Sequence, residues 1–327
     1  MTIARTPSIS VVMATRNRAD SLPNLVTAVM ADESVRHLVV VIDGDDAQSV
    51  ETLTSLSGRF RRLRFRQIPH AGHLRALEVG IAMTDAEVVL LLDDDVMPSA
   101  GLAAAHARSH TLHPNLVLVG AMPVQLPDRR AGVGSLLYAR DYEGLCDELA
   151  AGAKDVLANL WMGNVSLRRS HCVTVGLASR EFTASYHTDQ ELGIRLAAAG
   201  LVGRYDPSLA AVHLHRRNNR AFLNDARRRG AGVVQLHAAH PELGPVDAGQ
   251  FTDDLPGPLG GVVARMGRRP LAYPAARAMV LAADGVGLVG APGGRMALAK
   301  LARRLMLVRG ATAGEPDVAT SGSLVPA

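Results

Sequence analysis

Residues 88–95 read VVLLLDDD, an apolar run that ends in three consecutive carboxylates. Five large apolar residues in a row, bounded by polar ones, are typical of a strand that is buried on both faces of a sheet. Three more such strands are predicted upstream, at residues 9–13, 38–42 and 63–67, with amphipathic helical patterns between them. This alternation predicts an α/β fold with a mostly parallel, Rossmann-like sheet flanked by helices.

Polar residues follow the first, second and fourth of these strands at the carboxyl end. Thr15 and Arg16 follow the first strand, Asp43 follows the second, and residues 93–95 follow the fourth. Ligands of open α/β sheets bind at this end of the strands, so we expect the functional site there. Asp46 is predicted to be a solvated turn residue. The first strand is followed by neither a G-x-G-x-x-G nor a G-x-x-x-x-G-K-[ST] motif, which disfavours dinucleotide-binding and P-loop proteins.

The three consecutive aspartates repel one another, and Asp93 and Asp95 point the same way if the backbone stays extended. Such a cluster is costly unless a cation lies on it, and oxygen ligands of this kind suit Mg²⁺ or Mn²⁺. The alternative is a solvated loop in which Asp95 caps the helix after Pro98. The residues alone leave both interpretations open.

Several motifs along residues 9–215 resemble, in order, those of GT-A-type glycosyltransferases of family 2. These motifs are VVMATRN at residues 11–17, VIDG at residues 41–44, DDD at residues 93–95, GNVSLRR at residues 163–169 and HTDQEL at residues 187–192. The resemblance implies a GT-A catalytic domain over residues 1–220. Its nucleotide-sugar-binding half would be residues 1–100, and its acceptor-side half residues 101–220.

The resemblance assigns five residues to the nucleotide donor. Thr15 and Arg16 would line the base pocket, although many members carry an aromatic residue where this chain has Arg16. Asp43 would bind the base or the ribose, Asp94 would contact the nucleotide, and Arg75 would hold its diphosphate. The alternatives are an Asp-Gly turn residue for Asp43 and an ordinary exposed helix residue for Arg75.

Asp189 is assigned by the resemblance as the catalytic base that deprotonates the acceptor hydroxyl. Thr188 precedes it, where the family more commonly has a glutamate. We expect the N-terminus of the following helix to keep Asp189 ionised. The residues alone favour another interpretation, a helix-start carboxylate beside a capping box of Thr188 and Glu191. Glu191 remains the predicted cap in either case.

The resemblance also assigns Asp93, Asp95 and His213 to a divalent metal ion. His213 follows a Tyr-Asp-Pro segment at residues 205–207, as the metal-binding histidine does in related enzymes. Imidazole suits Mn²⁺ better than Mg²⁺, so His213 favours manganese over magnesium. A histidine with a structural role is the alternative.

The activity implied by the resemblance is metal-dependent, inverting transfer of a sugar from a nucleotide diphosphate sugar to an acceptor hydroxyl. A UDP-sugar is slightly favoured as donor, and the acceptor would be a small molecule, a glycan or a lipid-linked molecule. One alternative is a sugar-phosphate nucleotidylyltransferase, which normally needs a Gly-rich basic loop after the first strand. The other is a non-catalytic nucleotide-sugar or carbohydrate-binding protein. The formal charge of +4 gives no reason to expect a nucleic-acid partner, and the oligomeric state is left open.

The last seventy residues differ from the rest in composition. From residue 257 onward there are nine basic residues against three acidic ones. We expect a helical C-terminal extension at residues 221–310 and a disordered tail at residues 311–327. The basic helix at residues 295–309 could contact an anionic membrane, although a helix packed on the catalytic domain is favoured. Two cysteines and the lack of a signal-like segment predict a cytoplasmic location, with membrane association left open.

Overall fold

A computed structural model of the chain describes residues 5–126, 132–214, 218–288 and 292–313. The strands are β1 (Ile9–Thr15), β2 (Val35–Asp43), β3 (Leu63–Ile68), β4 (Val88–Leu92), β5 (Val96–Pro98), β6 (Leu116–Gly120), β7 (Asn164–Arg168), β8 (Val202–Asp206) and β9 (Ala211–His213). The helices are α1 (Leu22–Met30), α2 (Ala47–Arg59), α3 (His73–Ala82), α4 (Leu102–Ser109), α5 (Val133–Ala150), α6 (Arg169–Val175), α7 (Thr188–Ala198), α8 (Asn219–Ala239), α9 (Pro258–Gly267), α10 (Ala272–Leu288) and α11 (Pro292–Thr312).

Seven strands form the main sheet in the order β3-β2-β1-β4-β7-β6-β8. The four N-terminal strands are parallel, β7 runs antiparallel to β4 and β6, and β8 is parallel to β6. The predicted α/β fold with a mostly parallel sheet is therefore confirmed. A second sheet pairs β5 with β9 and places Val96 opposite His213. This small sheet brings a residue more than a hundred positions away next to the aspartates that precede β5.

Both faces of the main sheet are covered, which explains why β1, β4 and β6 are buried along their whole length, whereas the edge strands β3 and β8 are partly exposed and carry polar residues. Val11 and Met13 of β1 lie in the core on one side of the sheet. Val12 and Ala14 lie in the core on the other side. Successive side chains of a strand point to opposite faces, so a strand with helices on both sides needs apolar residues at every position.

The C-terminal helices form a third core around α11. Ala299, Ala302, Leu305 and Met306 of α11 have no solvent exposure. This helix therefore has no free apolar face for membrane contact through residues 295–309, and the packed alternative is the one that the structure shows. The predicted helical C-terminal extension is present, and its last helix ends at residue 312; residues 314–327 of the predicted tail lie outside the described part of the chain.

Glycines allow α8 and α11 to pack at unusually close range. A Cβ atom added to Gly230 would lie 2.0 Å from the carbonyl oxygen of Leu307, and one added to Gly310 would lie 1.9 Å from that of Arg227. Both contacts are with backbone atoms, which cannot move without moving a helix. A side chain at either position is therefore incompatible with this packing.

Gly230→Ala is expected to lower the free energy of unfolding by about 3 kcal/mol, because overpacking here forces two helices apart. Gly261→Ala is the matched control, since Gly261 lies within α9 with nothing within 4 Å of the added methyl group. The control is expected to be neutral or to stabilise by up to about 1 kcal/mol. Urea denaturation of the two variants measures both values. Equal stability of the two would contradict the close packing.

Two buried histidines attach α4 to β7. The ring of His106 contacts Ser166 Oγ at 2.8 Å and Asn164 Oδ1 at 3.1 Å, and His110 Nε2 lies 2.8 Å from the same Ser166 oxygen. Asn164 also donates to the carbonyl oxygens of Ala121 and Leu209. Burial lowers the pKa of His106 to about 4 and that of His110 to about 3. Both rings are therefore neutral in the folded protein near pH 7.

The free energy of unfolding is expected to fall as the pH drops below about 6.5, the ordinary histidine value. The unfolded chain then binds protons that the folded chain does not, so unfolding becomes easier until the pH reaches the lowered values of His106 and His110. Each histidine contributes a slope of up to about 1.4 kcal/mol per pH unit. His106→Gln is expected to reduce this slope in urea denaturation between pH 4 and 7. The control, His113→Gln at an exposed site, is expected to leave the slope unchanged.

Candidate active site

The three aspartates after β4 form a turn, which we call the aspartate turn (Asp93, Asp94 and Asp95). The Thr15 hydroxyl donates to Asp94 at 2.7 Å. Arg18 lies 3.0 Å from Asp95 Oδ2 and 3.6 Å from Asp94 Oδ1. These contacts arise because β1 and β4 are parallel neighbours, so the loops that follow them lie side by side. Helix α4 begins at Leu102 with Gly101 as its N-cap and no side-chain capping bond, so the alternative in which Asp95 caps this helix is wrong.

Asp93 lies between β7 and the start of α3. His73 Nε2 is 3.5 Å from Asp93 Oδ1. Gly163 has a φ of +119°, and a Cβ atom there would lie 2.8 Å from Asp93 Oδ2, so glycine is needed for both backbone conformation and space. Burial raises the pKa of Asp93 to about 6; His73 opposes the shift, whereas Asp95, Asp94 and Asp189 add to it. Burial also raises the pKa of Asp94.

His213 is held beside Asp95 by the pairing of β5 and β9. Its Nε2 lies 3.5 Å from Asp95 Oδ1, and its Nδ1 lies 3.4 Å from the Tyr138 hydroxyl. The Tyr138 ring packs edge-on against His213, with centroids 5.7 Å apart, and against Trp161 at 5.5 Å. The sequence contains no signal for this aromatic support, because Tyr138 lies on α5, far from both partners along the chain.

The aspartate turn and His213 fit a divalent cation in their chemistry. Burial, with a smaller contribution from the neighbouring carboxylates, raises the pKa of Asp93 and Asp94 despite the opposing effects of His73 and Arg18. Carboxylate oxygen and imidazole nitrogen together suit Mn²⁺. Within the described ranges, no three histidine, cysteine or acidic side chains are already arranged as a metal cluster. Asp95 and His213, 3.5 Å apart, are the pair placed to share an ion.

Asp189 lies in the first turn of α7, close to the aspartate turn. It accepts a hydrogen bond from the Met162 backbone N–H at 3.1 Å and one from the Thr188 hydroxyl at 3.3 Å. Burial raises its pKa, and the Met162 N–H, the charge of His73 and the Thr188 hydroxyl oppose this. Desolvation of the carboxylate is the larger effect, and the expectation that the helix N-terminus keeps Asp189 ionised remains a prediction. A raised pKa makes a carboxylate a stronger base.

The capping box predicted at the start of α7 does not form. The N-cap residue is His187, and its side chain makes no capping hydrogen bond. Glu191 is buried instead and accepts from Arg195 Nε at 2.8 Å and 3.0 Å. Arg195 also donates to carbonyl oxygens of the 175–177 segment. Glu191 is thus an internal ion-pair residue, a role decided by the burial of that face of α7.

Helix α8 supports the turn that presents Asp189. His187 has a left-handed backbone, with φ of 65°, and its ring lies 3.2 Å from the Arg229 carbonyl oxygen. Gly232 leaves space for this ring, since an added Cβ would lie 3.1 Å from His187 Cδ2. A cavity of about 420 Å³ borders the same turn, between α7, α8 and α11, and Gln190 lines it. The C-terminal helices therefore contribute to the geometry of the candidate base.

Asp43 is the last residue of β2, and Arg16 directly follows the end of β1. Asp43 accepts from the backbone N–H groups of Ala71 at 2.7 Å and Gly72 at 3.1 Å, and lies 2.9 Å from His70 Nδ1. Arg16 contacts the His70 ring at 3.3 Å. In this structure Asp43 organises the loop that leads into α3. Its predicted contact with a base or ribose, and those of Thr15 and Arg16, remain predictions.

Asp46 differs from the prediction of a solvated turn residue. It is buried, caps α2 by accepting from Ser49 N at 3.1 Å, and accepts from Asn17 N at 2.7 Å. Arg75, by contrast, pairs with Glu78 at 2.9 Å on the surface of α3. Its predicted contact with a diphosphate remains a prediction.

Residues 10–170 match the family model described as Glycosyl transferase family 2. The chain carries a family 2 glycosyltransferase domain. It is 28% identical over 241 residues to the pre-mycofactocin glycosyltransferases of two Mycobacterium tuberculosis strains, CDC 1551 / Oshkosh and H37Rv. The match covers 72% of this chain and 48% of each relative, so the chain spans about half the length of these proteins.

Two solved structures share the fold of this family 2 chain. Mannosyltransferase PcManGT from Pyrobaculum calidifontis, in complex with GDP-Man and Mn²⁺, has a TM-score of 0.60 at 16% identity, over 95% of this chain and 89% of that one. GalNAc-T7 with UDP, GalNAc and Mn²⁺ has a TM-score of 0.53 at 12% identity, over 75% and 52%. The predicted GT-A fold and family are confirmed.

Two residues that contact the aspartate turn were missed by the sequence interpretation, which assigned Arg75 to the candidate site. They are Arg18 and His73. Arg18 follows Arg16 by two positions in the loop beside β4, and His73 begins the helix that carries Arg75. Proximity of parallel strand exits is a signal that could have indicated Arg18.

Among the described residues, no helix reaches the length and hydropathy that a membrane-crossing segment requires.

Proposed function

We propose that the chain transfers a sugar from a nucleoside diphosphate sugar to an acceptor hydroxyl, with inversion at the anomeric carbon and with the aid of a divalent cation. The observation that carries this proposal is the proximity of Asp189 to the aspartate turn at the carboxyl edge of a GT-A sheet. Asp189 accepts from the Met162 N–H at 3.1 Å, and the Asp93 N–H donates to the carbonyl oxygen of the next residue, Gly163, also at 3.1 Å. Such a displacement needs a base that lies close to an acidic site able to hold a cation.

Asp189 accepts the proton of the acceptor hydroxyl in this proposal. The acceptor oxygen forms a bond to the anomeric carbon as the bond from that carbon to the diphosphate oxygen breaks, and the diphosphate leaves with the electron pair. The Met162 N–H and the Thr188 hydroxyl hold the Asp189 carboxylate in place. A single displacement of this kind inverts the configuration at the anomeric carbon.

Asp93, Asp95 and His213 would hold the cation, which supplies Lewis-acid stabilisation of the departing diphosphate. Arg18 contacts the carboxylates of both Asp94 and Asp95. Gly163, which has no side chain, leaves space for the Asp93 carboxylate. The two structures with the same fold are complexes with Mn²⁺, which supports a divalent ion and favours manganese. One of them contains GDP-Man and the other UDP, so both bases are candidates, with UDP kept as the first choice.

The catalytic unit in this proposal is residues 1–220, and residues 221–310 are a helical extension that supports it. The boundary falls between β9, which ends at His213, and α8, which begins at Asn219. We place the reaction in the cytoplasm, because Cys146 and Cys172 are both free thiols. The alternative activity, that of a sugar-phosphate nucleotidylyltransferase, is not supported by the contacts of the loop that follows β1.

The test is thermal denaturation of the purified protein with UDP or GDP, each with Mn²⁺ or with EDTA. A ligand that binds only the folded protein raises the melting temperature by mass action. We expect one diphosphate to raise it strongly in the presence of Mn²⁺ and weakly in EDTA. The matching nucleotide sugar is then expected to be hydrolysed slowly without an acceptor. Failure of both diphosphates to shift the transition with Mn²⁺ would refute the proposed donor class.

A further inference from the structure

The outward side of α9 and α10 exposes apolar side chains that nothing in the described chain covers. Leu259 and Val262 on α9 are 37% and 56% exposed, Leu271 in the turn between the helices is 71% exposed, and Leu281 on α10 is 58% exposed. The opposite sides of both helices are buried, with Val263, Ala276 and Val280 packed in the core around α11. We call the outward side, residues 259–281, the α9–α10 face.

Four arginines project from the same face. Arg265, Arg268, Arg269 and Arg277 are exposed, and none of the four is in an ion pair within the described ranges. Residues 258–283 contain no aspartate or glutamate, so this face carries four positive charges and no negative one. Large apolar residues interspersed with arginine are the composition of helices that lie at a bilayer surface.

Three of the four arginines of α11 differ in this respect: Arg295, Arg303 and Arg304 are paired with Asp284, Asp141 and Asp254 respectively. Arg309, the fourth, donates to the backbone carbonyl oxygen of Arg268 at 3.3 Å. Most of the positive charge after residue 257 that is not in an ion pair within the described ranges therefore lies on α9 and α10, and the rest is Lys300 and Arg309. This moves the candidate membrane contact away from residues 295–309, where the amino-acid pattern had indicated it.

We propose that the α9–α10 face docks the protein on an anionic lipid bilayer. The arginines would contact lipid phosphates, and Leu271, at the turn, would enter the acyl boundary together with its apolar neighbours on α9. A second copy of the chain is a poorer occupant, because a two-fold symmetric contact would bring four arginines against four arginines. The proposal is independent of the proposed activity, since it concerns a face on the outer side of the C-terminal helices.

The test is flotation of the purified full chain with vesicles of equimolar phosphatidylglycerol and phosphatidylcholine, and with vesicles of phosphatidylcholine alone, at low ionic strength. We expect binding to the anionic vesicles only. The triple variant Arg268→Gln, Arg269→Gln and Leu271→Ser is expected to bind them about 30-fold more weakly or worse, because each arginine contributes about fivefold at an anionic surface. Added salt is expected to weaken binding of the unchanged protein.

A matched control removes two arginines and one exposed leucine elsewhere, with Arg61→Gln, Arg108→Gln and Leu112→Ser; Leu112 is 74% exposed. It is expected to bind like the unchanged protein. Leu271→Trp adds a second measurement, a shift of fluorescence to shorter wavelength on anionic vesicles that Leu112→Trp lacks. The proposal is overturned by equal loss in both triple variants, by no binding to anionic vesicles, or by concentration-dependent self-association that only the first triple variant abolishes.

Discussion

Asp189→Asn is expected to lower kcat for sugar transfer by about 10³-fold, the contribution of a positioned general base. Asparagine keeps an oxygen that can accept from the Met162 N–H, so the first turn of α7 and its contact with β7 are expected to persist. The substitution removes the site that takes the acceptor proton. Initial rates with saturating donor and acceptor measure the effect.

The structure also predicts that donor binding survives this substitution, because the aspartate turn is unchanged. Asp155→Asn is the matched control, since Asp155 likewise accepts from a backbone N–H, that of Ala158 at 2.8 Å, but is exposed. The control is expected to retain full activity. Transfer at the normal rate by purified Asp189→Asn protein would show that another group is the base.

Asp95→Asn is expected to lower kcat/KM by about 10²-fold or more, because Lewis-acid stabilisation of a leaving group contributes several kcal/mol. Asp95 faces both Arg18, at 3.0 Å, and His213, at 3.5 Å, so it joins the charge of the β1 loop to the imidazole on β9. Its loss is also expected to raise the Mn²⁺ concentration needed for half-maximal activity.

The accompanying measurement is the Mn²⁺-dependent rise in melting temperature with nucleoside diphosphate, which we expect Asp95→Asn to abolish. Asp45→Asn is the control, because Asp45 is an exposed carboxylate at the exit of β2, outside the aspartate turn. An unchanged Mn²⁺ requirement in Asp95→Asn, with the control behaving normally, would remove Asp95 from the cation site.

The N-terminal sheet could be predicted because a strand covered on both faces must be apolar at every position. The strands predicted at residues 9–13, 38–42 and 63–67 correspond to β1, β2 and β3, with ends that differ by a few residues. Asp93, Asp95 and Asp189 could be singled out as carboxylates at a strand exit or at a helix start. Such patterns depend only on residues that are close to one another along the chain.

The contacts of the candidate site could not be predicted in the same way. Arg18 contacts the aspartate turn because β1 and β4 are neighbours, and His213 lies beside Asp95 because β9 pairs with β5. Local sequence patterns do not give these contacts: Arg18 could have been inferred only from the predicted adjacency of the two strand exits, and His213 was grouped with Asp95 only by the family resemblance. Arg75 pairs with Glu78 on the surface of α3, and its contact with the diphosphate stays a prediction.

Burial accounts for the remaining differences. Glu191 and Asp46 occupy positions where an isolated helix or turn would leave them solvated, yet packing buries both and gives them internal hydrogen-bond partners. Burial also raises the pKa of Asp189 above the ordinary aspartate value. Amino-acid order specified which segments become strands and helices and which carboxylates end them. Only the tertiary structure determined which charged side chains contact one another and which are desolvated, because both depend on distances between segments that are remote along the chain.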